Sequence, residues 1–275
     1  MIEVLRKTKK AILDGLKPRI VQIPVKVPLL QTELLKNRTA LITGATRGIG
    51  FAIAEAFSRA GANVIVAGRD GGRVKSAVAM LQESGQTASG IILDVRNVPE
   101  FAKSLSGLPP FDILVNNAGF VGGGGFWNTT EDEYDLVLDT NLKGHYFLSQ
   151  FVAKDWVSKG VKGNILNVCS ASSLRPGTSP YIISKWGMRS LTVGMAKQLV
   201  KYGIVVNGIA PGVTNTDRFT HGTEDISKSS NPSGRMVTMD EIANMAVILA
   251  SPLCRMVVGD ILYMTGGGGI VTLDD

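Results

Sequence analysis

The sequence predicts an α/β chain, a doubly wound parallel sheet of about seven strands with helices on both faces. Three observations carry this. From residue 38 onward, short β-branched runs alternate with helical stretches, the pattern of a parallel sheet whose crossovers are helices. Hydrophobic residues form 44% and charged residues 19% of 275, a globular composition with room for one large domain. Glycine, at 32 residues, is well above the usual roughly 7% but has no three-residue period, so the excess belongs in turns and ligand loops.

Taken in order, residues 1–16 place Ile2, Leu5, Ile12, Leu13 and Leu16 at roughly helical spacing among lysines, before Gly15 and Pro18 stop the pattern. Residues 20–30 are partly alternating, but Pro24 and Pro28 confine them to an edge or an extended arm. Both belong to a basic N-terminal extension, residues 1–37, ahead of a single Rossmann-type catalytic domain, residues 38–275. Strands are expected at 39–43, 63–67, 90–94, 112–116, 163–169, 204–209 and 260–264. Helices are expected near 48–60, 70–84, 97–106, 131–159, 180–202 and 239–250. In such a sheet ligands bind where loops leave the carboxyl ends of the strands, so chemistry is sought there.

Composition excludes several classes of function. Of the net charge of +6, the extension carries +5, from eight Lys/Arg against three acids, and the other 238 residues hold 21 basic and 20 acidic side chains. The body is close to electrically balanced, which argues against a nucleic-acid-binding domain. The extension is read as an arm packed on the body or a sister subunit, or more sharply as a docking element for an acidic partner or an anionic surface. Two cysteines, Cys169 and Cys254, and two histidines, His145 and His221, give neither a disulfide scaffold nor a zinc site, and a reducing, cytoplasmic compartment fits them. No apolar run approaches the roughly 18 residues that span a bilayer, and no signal-peptide pattern opens the chain.

After the first expected strand comes Thr43-Gly44-Ala45-Thr46-Arg47-Gly48-Ile49-Gly50, then a helix. A helix N-terminus offers unpaired N–H groups and about half a positive charge, and glycines let a pyrophosphate approach them, so this loop is expected to hold a dinucleotide. An acid normally ends the second strand to take the ribose 2′-hydroxyl. Here Gly68 stands in that place, followed by Arg69, with Arg47 in the loop itself. Two guanidiniums suit a 2′-phosphate, so NADP(H) is expected over NAD(H), with Asp70 read as the N-cap of the next helix.

These motifs continue as Asn116-Asn117-Ala118-Gly119, Ser170, Tyr181-x-x-x-Lys185 and Pro211-Gly212. In order and approximate spacing the set resembles the short-chain dehydrogenase/reductase family in its single-domain form, over residues 38 to about 270. The residues agree with it. Tyr181 and Lys185, four apart in an expected helix, share one face. A free tyrosine holds its proton to about pH 10 and a nearby ammonium favours the phenolate, so such a pair suits general acid–base work. Ser170, at the end of an apolar strand, can donate to a carbonyl oxygen. Ser172 and Ser173 are its neighbours and rivals, and the 11 residues from Ser170 to Tyr181 are about two fewer than in the family, which unsettles the pocket rim.

The resemblance implies further roles. Asn141 matches the asparagine that distorts a helix and holds a water against the lysine, giving a relay through Tyr181, cofactor ribose, Lys185, water and Asn141. Asp94 and Val95 would contact adenine, and Asn117, Ala118 and Gly119 the nicotinamide ribose. Pro211, Gly212, Val213, Thr214 and Thr216 would lie along the nicotinamide. The implied activity is reversible hydride transfer between NADP(H) and a small-molecule carbonyl or alcohol, by a homo-tetramer or homo-dimer.

Substrate is less legible. The segment from Asp217 to Val237 reads as a lid. Phe126, Trp127 and Trp186 could line a pocket, though packing is the commoner use of such residues. The favoured class is a 3-oxoacyl thioester, with an acidic carrier protein as a candidate partner for the basic extension, and a keto-sugar, polyol or other small carbonyl as the alternative. A nucleotide-sensing or scaffolding protein without turnover is the reading from a different class.

Overall fold

The computed structural model describes residues 33–216, 225–228 and 230–269. The expected N-terminal helix and arm and part of the expected lid lie outside them. Among the described residues one parallel sheet runs in the order β3-β2-β1-β4-β5-β6-β7. Its strands are β1 (Thr39–Thr43), β2 (Asn63–Gly68), β3 (Ala88–Ile92), β4 (Ile113–Asn116), β5 (Asn164–Val168), β6 (Val205–Pro211) and β7 (Ile261–Met264). The order reverses between β1 and β4, which opens a crevice at their carboxyl ends.

The helices are α1 (Gly48–Arg59), α2 (Gly71–Glu83), α3 (Phe101–Leu105), α4 (Glu131–Leu138), α5 (Gly144–Lys159), α6 (Pro180–Leu199) and α7 (Met239–Ala250). Strand periodicity divides the core. Ala40, Ile42, Val64, Val66 and Val115 join Ile53 and Phe57 of α1 and Ile242 and Ala246 of α7 on one face. Leu41, Ile65, Leu114 and Ile165 join Leu148, Val152 and Trp156 of α5 on the other. Both faces are covered, so the central strands are buried along almost their whole length and mostly apolar, without a regular in–out alternation. Burial of a side chain such as Phe57 contributes about 1.5–3 kcal/mol.

The helix expected near 97–106 is a 3₁₀ turn, Val98–Glu100, followed by the short α3, the strand expected at 204–209 runs on to Pro211, and two other elements differ more. The strand expected at 90–94 is Ala88–Ile92, because the apolar run Ile91-Ile92-Leu93 straddles its end. As an edge strand it starts with Ala88, Ser89 and Gly90, which carry no hydrophobic signal. The helix expected at 131–159 is interrupted at Asp139–Lys143 by a π-turn between α4 and α5. Residues 33–37, counted with the extension, pack on the body: Leu35 is fully buried and its N–H donates to the Ala60 carbonyl at 2.9 Å. No helix among the described residues is long and apolar enough to cross a membrane.

Candidate active site

The crevice at the β1–β4 switch is a cleft of about 660 Å³. The glycine loop forms its floor. Gly44 and Gly48 have φ of +64° and +57°, a region side chains disfavour, and a Cβ on Gly44 would come within 2.8 Å of the Ala118 Cα. Nothing lies within 4 Å of a Cβ built on Gly48, which leaves that side open. The loop is stapled to the 116–119 turn: the Thr43 hydroxyl accepts from the Asn117 and Ala118 N–H groups at 3.0 Å each, and the Asn117 amide donates to the Thr43 carbonyl at 2.9 Å. The α1 N-terminus has no side-chain cap and no acid in its first turn, so its N–H groups and dipole are left to face a ligand. This cradle fits a pyrophosphate.

Thr46, Arg47, Ile49, Gly50, Arg69, Asp94, Val95, Gly119 and Thr216, all candidates for cofactor contact from the sequence, line the same cleft. Two arginines that the sequence reading missed also line it, Arg73 and Arg96. Arg73 could have been found, since it sits three residues past Asp70, whose carboxylate caps α2 by accepting from the Arg73 N–H at 3.0 Å. Arg96 grips Asp94 through Nε and Nη2, at 3.0 and 2.6 Å, and this hydrogen-bonded guanidinium is the main reason the Asp94 carboxyl sits below its usual range.

Farther along the strand ends, α6 presents Tyr181 and Lys185 one turn apart. Lys185 is 5% exposed, and its Nζ donates to the Val168 carbonyl at 3.0 Å and lies 5.7 Å from the Tyr181 ring centroid. Ser170, 8% exposed, follows β5, and its Oγ accepts from the Ser172 N–H at 3.1 Å, which leaves the hydroxyl proton available to a ligand. Asn141 is fully buried in the π-turn. Its Oδ1 accepts from the Phe120 N–H at 2.7 Å, and its Nδ2 donates to the Phe120 carbonyl at 2.9 Å and to Ser184 Oγ at 3.1 Å. These bonds tie the 119–121 loop to α6, and none of them reaches Lys185.

Pro211 ends β6, and Gly212 and Val213 are held by main-chain bonds to Met264 and Val237. Thr214 is buried, with its hydroxyl on the Gly212 carbonyl. Of this stretch only Thr216 reaches the cleft lining. A polar ladder links the sheet to α6: Asn116 donates to Ser149 and Asn167, and Asn167 to Thr192, each at 2.8–2.9 Å. Cys169 beside it is buried, and that burial pushes its thiol upward, away from a reactive thiolate. No group of three His, Cys, Asp or Glu among the described residues could hold a metal.

Comparison with known proteins gives the relatives of this chain. The family model described as short chain dehydrogenase matches residues 38–227. The chain is 33% identical over 244 residues to gluconate 5-dehydrogenase of Gluconobacter oxydans, spanning 85% of this chain and 95% of that one. It is 35% identical over 246 residues to the 3-oxoacyl-(acyl-carrier-protein) reductase FabG of Chlamydia muridarum, spanning 86% and 98%. The crystal structure of a gluconate 5-dehydrogenase from Burkholderia cenocepacia, in complex with NADP and tartrate, superposes with a TM-score of 0.80 at 30% identity, covering 88% of this chain and 99% of that one.

Proposed function

The chain belongs to the short-chain dehydrogenase/reductase family, and from that premise we propose that it is an NADP(H)-dependent oxidoreductase interconverting a ketone and a secondary alcohol. The observation that carries the reading is a buried lysine beside a half-buried tyrosine on one helix, next along the sheet from an arginine-lined cleft. Bound NADPH supplies the hydride. The α1 N-terminus and the glycine loop receive its pyrophosphate, and Arg47 and Arg69 receive its 2′-phosphate.

Tyr181 gives its proton to the substrate carbonyl oxygen, and Lys185, anchored on Val168, holds a positive charge near that phenol. The Ser170 hydroxyl, aimed by the Ser172 N–H, donates to the same oxygen as charge builds on it. Asn141 holds the Phe120 loop and α6 together at the π-turn, which fixes the tyrosine's helix relative to the nicotinamide side of the cleft. Residues 38–275 act as one catalytic domain.

The favoured substrate is a 3-oxoacyl thioester. Support comes from the likeness to FabG and from apolar side chains on the loop after Gly119, where Phe126 is 69% and Trp127 91% exposed and ready to meet an acyl chain. The second reading, a keto-sugar acid, is favoured by the two gluconate dehydrogenase likenesses. NADPH consumption, followed by absorbance over a panel of 3-oxoacyl thioesters and keto-sugar acids, decides between them: the thioester reading expects the higher kcat/KM on thioesters. Tyr181→Phe is expected to lose nearly all turnover and to keep NADPH affinity. Full turnover in that variant sinks the assigned acid.

A further inference from the structure

The loop that follows Ser170 is short, and its only regular structure is the single 3₁₀ turn Ala171–Leu174. A 3₁₀ turn of four residues has poor hydrogen-bond geometry and holds itself weakly. Yet a donor to a developing oxyanion must be fixed before the reaction to be of use. Something outside the loop has to hold it.

Two side chains do so from either flank. Ser173, fully buried, donates its hydroxyl to the Ser170 carbonyl at 2.8 Å, and its N–H donates to that same carbonyl at 3.1 Å. With its one proton used there, Ser173 Oγ accepts from the Tyr263 hydroxyl of β7, 3.3 Å away. The Ser173 carbonyl in turn accepts from Arg189 Nη1 at 3.0 Å. The Arg189 guanidinium lies between two rings, 5.3 Å from the Trp186 centroid and 6.0 Å from that of Tyr263. Trp186 itself donates to the Arg175 carbonyl at 2.9 Å, closing the far end of the loop. Arg189 stands four and eight residues after Lys185 and Tyr181 on α6, so one helical face carries all three.

We infer that Arg189 and Tyr263 are positioning residues that clamp Ser173 from α6 and β7, and so fix the carbonyl and hydroxyl of Ser170 against the helix bearing Tyr181. The inference rests on the role proposed for Ser170, and the experiment separates the two.

Full-length Tyr263→Phe, which loses one hydroxyl, and Arg189→Ala are assayed with NADPH and either acetoacetyl-coenzyme A or 5-ketogluconate, each alone and combined with Ser170→Ala. Amide hydrogen exchange of the 170–178 segment is followed in parallel. Each single variant is expected to lower kcat about tenfold, less than the roughly 10²-fold of deleting an oxyanion donor, because the donor is mis-aimed instead of removed. KM and NADPH affinity should change less than about twofold, a split that general unfolding would not produce. In the Ser170→Ala background the added loss should vanish, and exchange at Ser172 and Ser173 should speed up in both variants.

Losses that multiply fully with Ser170→Ala, or unchanged exchange in Tyr263→Phe, overturn the clamp. Should Arg189→Ala not fold, Tyr263→Phe decides alone. Retained turnover in Tyr181→Phe would overturn the proposed chemistry, and the exchange measurement would still judge the clamp.

Discussion

At the residue scale, His145 is the group whose chemistry is most altered by its surroundings. It has no exposed surface, and neither ring nitrogen makes a hydrogen bond of normal geometry, although the Asn141 and Ala118 carbonyls are near enough to favour a proton on it. Burial outweighs those carbonyls and, with the charge on Lys185, pushes its pKa down to about 3. The imidazole is therefore neutral in the folded chain and binds a proton near pH 6.5 once unfolded. Below that pH the unfolded state holds more protons, so stability is full above 6.5 and is lost progressively as the pH falls toward 3. Between pH 7 and pH 5 this one residue should remove about 2 kcal/mol. Glu241, held down to about 2 mainly by its hydrogen bonds with Arg235, titrates below that window and does not confuse it. Urea unfolding at the two pH values should show the wild-type chain losing about 2 kcal/mol more than His145→Leu. Equal losses would mean that His145 is already protonated or solvated when folded.

At the scale of elements, two glycines in helices separate backbone propensity from packing. Alanine is favoured over glycine in a helix by about 0.5–1 kcal/mol. Gly194, exposed in α6, has nothing within 4 Å of a built Cβ, so Gly194→Ala should stabilise by about that amount. Gly144, first in α5, would place its Cβ 2.5 Å from the Val95 carbonyl oxygen, and overpacking of about 1–3 kcal/mol outweighs the propensity gain. Gly144→Ala should therefore lower the melting temperature and, by displacing Val95 in the cleft wall, weaken NADPH binding, whereas Gly194→Ala should raise the melting temperature and leave binding alone. A stabilising Gly144→Ala would show that Val95 yields freely.

The seven-strand sheet and the glycine loop were legible because a buried parallel strand is an uninterrupted apolar run and a phosphate turn requires glycines in order. The edge strand β3 was misplaced by two residues, because Ala88, Ser89 and Gly90 are held by main-chain bonds to β2 that leave no mark on side-chain type. The π-turn is not legible in the sequence: the family likeness of Asn141 implies only a distorted helix, and no periodicity in residues 131–159 signals the interruption. Arg96 was missed because its role lies in gripping a neighbour, Asp94, already assigned to the ligand.

At the scale of the whole molecule, the question is whether cofactor choice comes from overall charge or from one local field. The described cleft brings together Arg47, Arg69, Arg73 and Arg96 against two acids, Asp70 and Asp94. Arg96 closes on Asp94, and Arg73 lies 3.4 Å from Asp70, so each acid has its own arginine partner, while Arg47 and Arg69 remain exposed at the floor and at the end of β2. Residues 38–275 are nearly neutral, with 21 basic against 20 acidic side chains, so global attraction is weak and the local cluster must select the cofactor. Charge-assisted, bidentate bonds to a 2′-phosphate are worth about 1.5–3 kcal/mol each, whereas a hydroxyl in the same place gains none of this. Arg69→Asp should therefore weaken NADPH binding by about tenfold to a hundredfold and change NADH binding little, and raising the salt should reduce the preference for NADPH in the wild-type chain more than in the variant. Fluorescence titration with both cofactors at two ionic strengths measures this. If Arg69→Asp weakened both affinities equally, the cluster would be serving the pyrophosphate, and selection of the phosphorylated cofactor would have to arise elsewhere in the cleft.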